Sequence, residues 1–88
     1  MKKFTIIYTK EALKFLYKND RLLKNKIEEK LIDYYHFWNK NIDIKILEPK
    51  KLGFYRLRLW KFRIIFEKND TKLIIHILKI WSRWDIYK

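Results

Sequence analysis

The sequence predicts an α+β domain in the order strand–helix–helix–strand–strand–strand, with an antiparallel sheet and a helical hairpin packed on one of its faces. Three observations carry this reading. Leu23, Ile27, Leu31, Tyr34 and Trp38 recur at three- and four-residue steps, one stripe of a helix. Residues 52–88 hold three strand-like runs separated by short turns. Within the first of those runs, Tyr55, Leu57 and Leu59 alternate with Phe54, Arg56 and Arg58, as side chains on a half-buried strand do.

Lys3–Thr9 reads as the first strand, being rich in β-branched and aromatic residues. Thr9 is placed to cap a helix over Lys10–Lys18, whose apolar face is Ala12, Leu13, Phe15, Leu16 and Tyr17. Asn19-Asp20 interrupts it, and Asp20 can cap a second helix over Arg21–Trp38. A short turn between two helices makes an antiparallel pair. Asn39–Lys51 is polar, has scattered Ile42, Ile44, Ile46 and Leu47, contains the only proline (Pro49), and reads as a connector. Gly53 precedes a strand over Phe54–Trp60. A turn near Trp60-Lys61 leads to a strand over Phe62–Lys68, and Asn69-Asp70 turns the chain into the last strand, Leu73–Trp81. Two successive hairpins make a meander of these three strands. The helices cover one face, and Arg56 and Arg58 emerge side by side on the other.

At 88 residues the chain is long enough for one core, and residues 1–88 are read as a single domain. The hydrophobic fraction of 49% argues against disorder despite the charge. Without cysteine there is no disulfide framework and no thiolate metal site. The ten acids are scattered without ligand spacing, so neither a metal nor another cofactor is expected. The apolar run after Met1-Lys2-Lys3 is too short for a signal-peptide core, and no window approaches the ~18 apolar residues of a membrane span. The expected location is the cytoplasm, with no membrane partner.

A net charge of +12 points to a polyanionic partner. Most lysines form a solvated coat, but the arginines are more informative. A chain that otherwise defaults to lysine uses arginine where planar, bidentate contact is needed. Of the five, only Arg21 falls in the first half; Arg56, Arg58, Arg63 and Arg83 are in the second.

The run Leu52-Gly53-Phe54-Tyr55-Arg56-Leu57-Arg58-Leu59, then Phe62-Arg63-Ile64-Ile65-Phe66, Ile77-Leu78-Lys79-Ile80, Ser82-Arg83 and Asp85-Ile86-Tyr87 resembles the RelE side of the RelE/ParE toxin superfamily of type II toxin–antitoxin systems. The element order matches as well; over the first half the likeness is architectural only. The resemblance implies a ribosome-dependent mRNA endoribonuclease that cuts the codon in the 30S A site. It uses no metal: the RNA's own 2′-hydroxyl attacks the adjacent phosphate. It also implies a cognate antitoxin that covers the arginines. Carried residue by residue, it makes Arg56, Arg63, Arg83 and Tyr87 the catalytic set and Arg58 a phosphate-binding residue. Lys50, Lys51, Lys61 and Lys79 are candidates for RNA backbone contact. The chain departs from the family's pattern at two points: Trp60 stands where a hairpin glycine is usual, and Trp81-Ser82 where Gly-His is frequent.

The chemistry is consistent with those residue types. Internal attack needs a base, neutralisation of charge on the phosphorane-like transition state, and a proton for the leaving oxygen. His36 and His76 read as structural residues on a helix and in an apolar strand. That leaves tyrosine and arginine. Guanidinium groups within about 6 Å favour a phenolate and lower the tyrosine pKa from near 10, so Tyr87 is the candidate base. Arginine stays protonated in almost any site, which favours an electrostatic role for Arg83 over a general-acid one. Trp60, Trp81 and Trp84 can stack on bases, but burial in the core or against a partner is the preferred reading for each. Two alternatives stand beside the endoribonuclease: a ParE-like inhibitor of DNA gyrase, and a catalytically weak relative that binds RNA or protein.

Overall fold

A computed structural model describes residues 4–19, 21–47 and 53–82. The elements run β1 (Thr5–Tyr8), α1 (Lys10–Asn19), α2 (Arg21–Phe37), β2 (Asp43–Ile46), β3 (Phe54–Leu59), β4 (Phe62–Asn69) and β5 (Ile74–Ser82). The five strands form one sheet in the order β1-β5-β4-β3-β2. The expected α+β layering is present, with the β3–β4–β5 meander at the centre. Two features go beyond the expected order. The connector carries the additional strand β2, antiparallel to β3 at the sheet edge, and β1 joins the other edge parallel to β5.

The hydrophobic core lies between the sheet and the helices. Ala12 and Leu16 from α1 and Leu23, Ile27 and Leu31 from α2 meet Leu57, Leu59, Phe62, Ile64, Phe66, Ile75, Ile77 and Ile80 from the central strands. The alternation anticipated in β3 holds, with Leu57 and Leu59 buried. The helix stripe holds as far as Leu31. Trp38 departs from it: α2 ends at Phe37, Trp38 takes a left-handed φ of 58°, and its side chain is 79% exposed. Tyr17, expected on the buried face of α1, also points outward.

Thr9 joins β1 to α1 and ties both to β5. Its Oγ1 accepts from the Ala12 N–H at 3.1 Å, the N-cap contact expected from sequence, and donates to the Leu78 carbonyl at 2.7 Å. That carbonyl is available because β5 bulges here: Ile65 pairs with Lys79 and Phe66 with Ile77, leaving Leu78 unpaired on β4. The proposed cap Asp20 lies outside the described residues. A second tie joins β1 to α2, where the Tyr8 hydroxyl donates to Glu28 Oε2 at 2.5 Å. Burial, then this hydrogen bond and the Glu28 charge, push the Tyr8 pKa well above the ordinary phenol value. Gly53 enters β3 at φ 94°, where a Cβ would sit 3.1 Å from the Lys68 carbonyl; its own carbonyl accepts from the Lys68 N–H at 2.7 Å.

Candidate functional site

The sheet face turned away from the helices carries the charge. In an antiparallel ladder, directly opposed residues project to the same face with Cα atoms about 4.5–5.5 Å apart. One row across the sheet is therefore Asp43, Arg58, Arg63 and Trp81, on β2, β3, β4 and β5 in turn. The next is Lys45, Arg56, Ile65 and Lys79, and a third holds Phe54, Glu67, His76 and Ile7. The first two rows bring together five cationic side chains and one carboxylate.

Arg58 and Arg63 face each other directly. Like charges opposed on a sheet repel. Among the described residues, neither guanidinium has an ion-pair or hydrogen-bond partner. The one carboxylate of the row, Asp43, contacts Arg56 instead, diagonally, at 3.5 Å. Arg56 is the more enclosed residue: its side chain is 21% exposed, and its Nε is buried without a hydrogen-bond acceptor. Among the described residues the face thus holds a guanidinium pair without a counter-ion and a third guanidinium with an unused donor. Such an arrangement is completed by an anion able to accept several hydrogen bonds. No cluster of metal-ligating side chains occurs among the described residues.

Of the residues singled out from sequence, Arg56, Arg58, Arg63 and Lys79 share this face. Lys61 lies in the exposed β3–β4 turn at its end, its Nζ 5.4 Å from the Phe62 ring centroid. Lys50, Lys51, Arg83 and Tyr87 fall outside the described residues. Of the two acids that could pair with Arg63, Glu67 lies two rows away, opposite Phe54 and His76, and Asp85 lies outside the described residues. His76 is half-buried on this face, and His36 sits in the last turn of α2 on the helix side. Asp43 and Lys45 escaped the sequence reading. The signal for them was the alternation of Ile42, Ile44 and Ile46 with Asp43 and Lys45, a two-residue period within the connector.

Trp60 sits in the two-residue β3–β4 turn with φ 55°, and its side chain is 66% exposed. A positive φ at the first central residue of such a turn is where glycine is favoured. The backbone therefore keeps the path that a glycine takes easily. A separate cavity of about 450 Å³ opens on the helix side. There Lys68 reaches Asp70 at 2.7 Å and lies over the Tyr35 and Phe4 rings, remote from the arginine rows.

The fold is that of RelE-type toxins. RelE of the RelE–RelB complex from Pyrococcus horikoshii is 24% identical with a TM-score of 0.71, covering 93% of this chain and 97% of that one. The RelB–RelE complex from Methanococcus jannaschii gives 22% identity and a TM-score of 0.66 over 92% and 94%. The RelBE2 complex from Mycobacterium tuberculosis gives 22% and 0.67 over 93% and 100%. No curated protein sequence matches. The family model for the ParE toxin of type II toxin–antitoxin system, parDE, matches residues 6–87. The chain belongs to this family, and so to the RelE/ParE superfamily of toxins. The superfamily is the one the second-half motifs indicated; the matching model describes its ParE branch.

Proposed function

We propose that this toxin is a ribosome-dependent mRNA endoribonuclease that cleaves the A-site codon without metal, by attack of the 2′-hydroxyl on the adjacent phosphate. The observation that carries this reading is the directly opposed pair Arg58 and Arg63, without acidic partners among the described residues, beside Arg56 on one sheet face. Arg58 binds the scissile phosphate. Arg56 and Arg63 stabilise the charge that grows on it in the transition state. Arg83 adds to that stabilisation, and Tyr87 takes the proton from the 2′-hydroxyl as the 2′-oxygen bonds to phosphorus and the P–O5′ bond breaks, leaving a 2′,3′-cyclic phosphate and a 5′-hydroxyl whose proton comes from water. Lys61 and Lys79, with Lys50 and Lys51, hold the RNA backbone. The partners are the 30S A site, mRNA and a cognate antitoxin whose acidic segment neutralises the arginine face. The toxin complexes from P. horikoshii, M. jannaschii and M. tuberculosis each contain an antitoxin, which supports the last assignment.

The test is in-vitro translation of a defined mRNA with its 5′ ends mapped by primer extension. New ends inside the A-site codon are expected only with ribosomes, and cleavage falls by at least about a hundredfold in Tyr87→Phe, the range of a lost general base. Intact mRNA in the presence of folded protein overturns the reading. A second reading, inhibition of DNA gyrase, is favoured by the match to the ParE model. Loss of gyrase supercoiling on adding the protein, with mRNA left intact, is its signature.

A further inference from the structure

We propose that Trp81 is a base-stacking platform that sets one nucleotide of the bound RNA against the arginine pair. The inference rests on the RNA reading above. Trp81 occupies the fourth place of the row Asp43, Arg58, Arg63, Trp81, directly opposite Arg63. Its neighbour Ile80 is buried on the helix side, so the indole leaves the sheet on the charged face. The cross-strand residue it meets is a cation, and the fully buried apolar cluster lies on the other side of the sheet. The preference for burial in the core therefore does not hold for this tryptophan.

The surroundings of the ring suit a nucleotide. Lys79 Nζ lies 5.1 Å from the ring centroid and 3.7 Å from the Glu11 carboxylate. Both side chains of that ion pair are substantially exposed, so it is weak, and an arriving phosphate competes with Glu11 for the ammonium. One strand spacing, about 4.8 Å, separates the Trp81 backbone from that of Arg63, and a second separates it from Arg58. A base lying on the indole thus has its linking phosphate within reach of two guanidiniums that have no ion-pair partner among the described residues. Asp43, at the far end of the row, disfavours a phosphate at the β2 edge. Every base has a π-face, so the platform fixes position rather than base identity.

The experiment is fluorescence anisotropy of a short labelled single-stranded RNA titrated with the full-length protein across a salt series. It compares wild type, Trp81→Phe, Trp81→Leu and Lys79→Gln. Leucine keeps apolar bulk without an aromatic face, so a correctly folded variant is available. Trp81→Leu is expected to weaken binding roughly five- to hundredfold, by the same factor at every salt concentration, while Trp81→Phe retains most of the affinity. Lys79→Gln instead reduces the salt slope by about one. In wild type, replacing a single nucleotide by an abasic ribose reproduces the loss at one position, and in Trp81→Leu the same replacement has no further effect. Affinity unchanged in folded Trp81→Leu, or equal loss from the abasic site in both proteins, overturns the proposal while leaving the RNA reading intact. Wild type without affinity for RNA at low salt also overturns the proposal, while the endoribonuclease reading is decided by the translation assay above.

Discussion

Trp60 and Trp81 occupy two positions where RelE-like sequences usually carry glycine, and their environments differ. Trp81 extends the row Asp43, Arg58 and Arg63. Trp60 holds a left-handed backbone in a hairpin turn, a conformation that costs a residue with a Cβ on the order of 1–3 kcal/mol. Its side chain is largely in solvent, so little packing offsets that strain. Trp60→Gly is expected to raise unfolding free energy by up to about 1 kcal/mol in urea denaturation, the gain being limited by the greater freedom of glycine in the unfolded chain. A loss of stability would mean that Trp60 makes contacts that offset the strain. That Trp60 stands where the resemblance implies a glycine was plain in the sequence. Its consequence was not, because a residue type does not state its φ.

At the scale of elements, the β3–β4 hairpin is a compromise. Its inner face carries Leu57 and Leu59 against Ile64 and Phe62, and its outer face sets Arg58 against Arg63. The buried pairs hold the register that forces the guanidiniums together. Arg63→Gln removes the repulsion, and thermal melts should show it more stable by up to about 1 kcal/mol. The gain should shrink at high salt as screening weakens the repulsion. The same variant should lose endonuclease activity, an exchange of stability for function. A destabilised Arg63→Gln would indicate that the pair is not in conflict. The hairpin was legible beforehand because its alternation and turn signals are local. β2 was read as connector: its short alternation is a weak signal beside a proline-containing polar segment, and pairing with β3 is what brings Asp43 and Lys45 to the candidate site.

At the scale of the whole molecule, two half-buried tyrosines tie the layers together and make stability depend on alkaline pH. Tyr8 donates to Glu28 between β1 and α2. Tyr35 is half-buried among Phe4, Tyr34 and Phe66, and burial, then the nearby Tyr55, Tyr34 and Asp70, push its pKa up. A folded pKa raised above the unfolded value near 10 means that the unfolded chain releases its proton first. The stabilisation is therefore complete below pH 10 and is lost as pH rises above it, with a slope of up to about 1.4 kcal/mol per pH unit for each tyrosine. Urea denaturation from pH 9 to 11 is expected to show this fall, with a shallower one in Tyr8→Phe. An unchanged slope in that variant would exclude Tyr8 as a source.

The sequence by itself determined the layered α+β class, the two helices, the central three-stranded meander and the face on which Arg56 and Arg58 emerge. All of these follow from local periodicity and from which side chains avoid water. The tertiary structure decided the rest. β1 lies parallel to β5, β2 completes the other edge, and Trp81 falls opposite Arg63 past the irregular β4–β5 pairing. These are relations of register between segments distant in the chain. They are set by hydrogen bonding across the sheet and by packing against α1 and α2, and no local pattern encodes them.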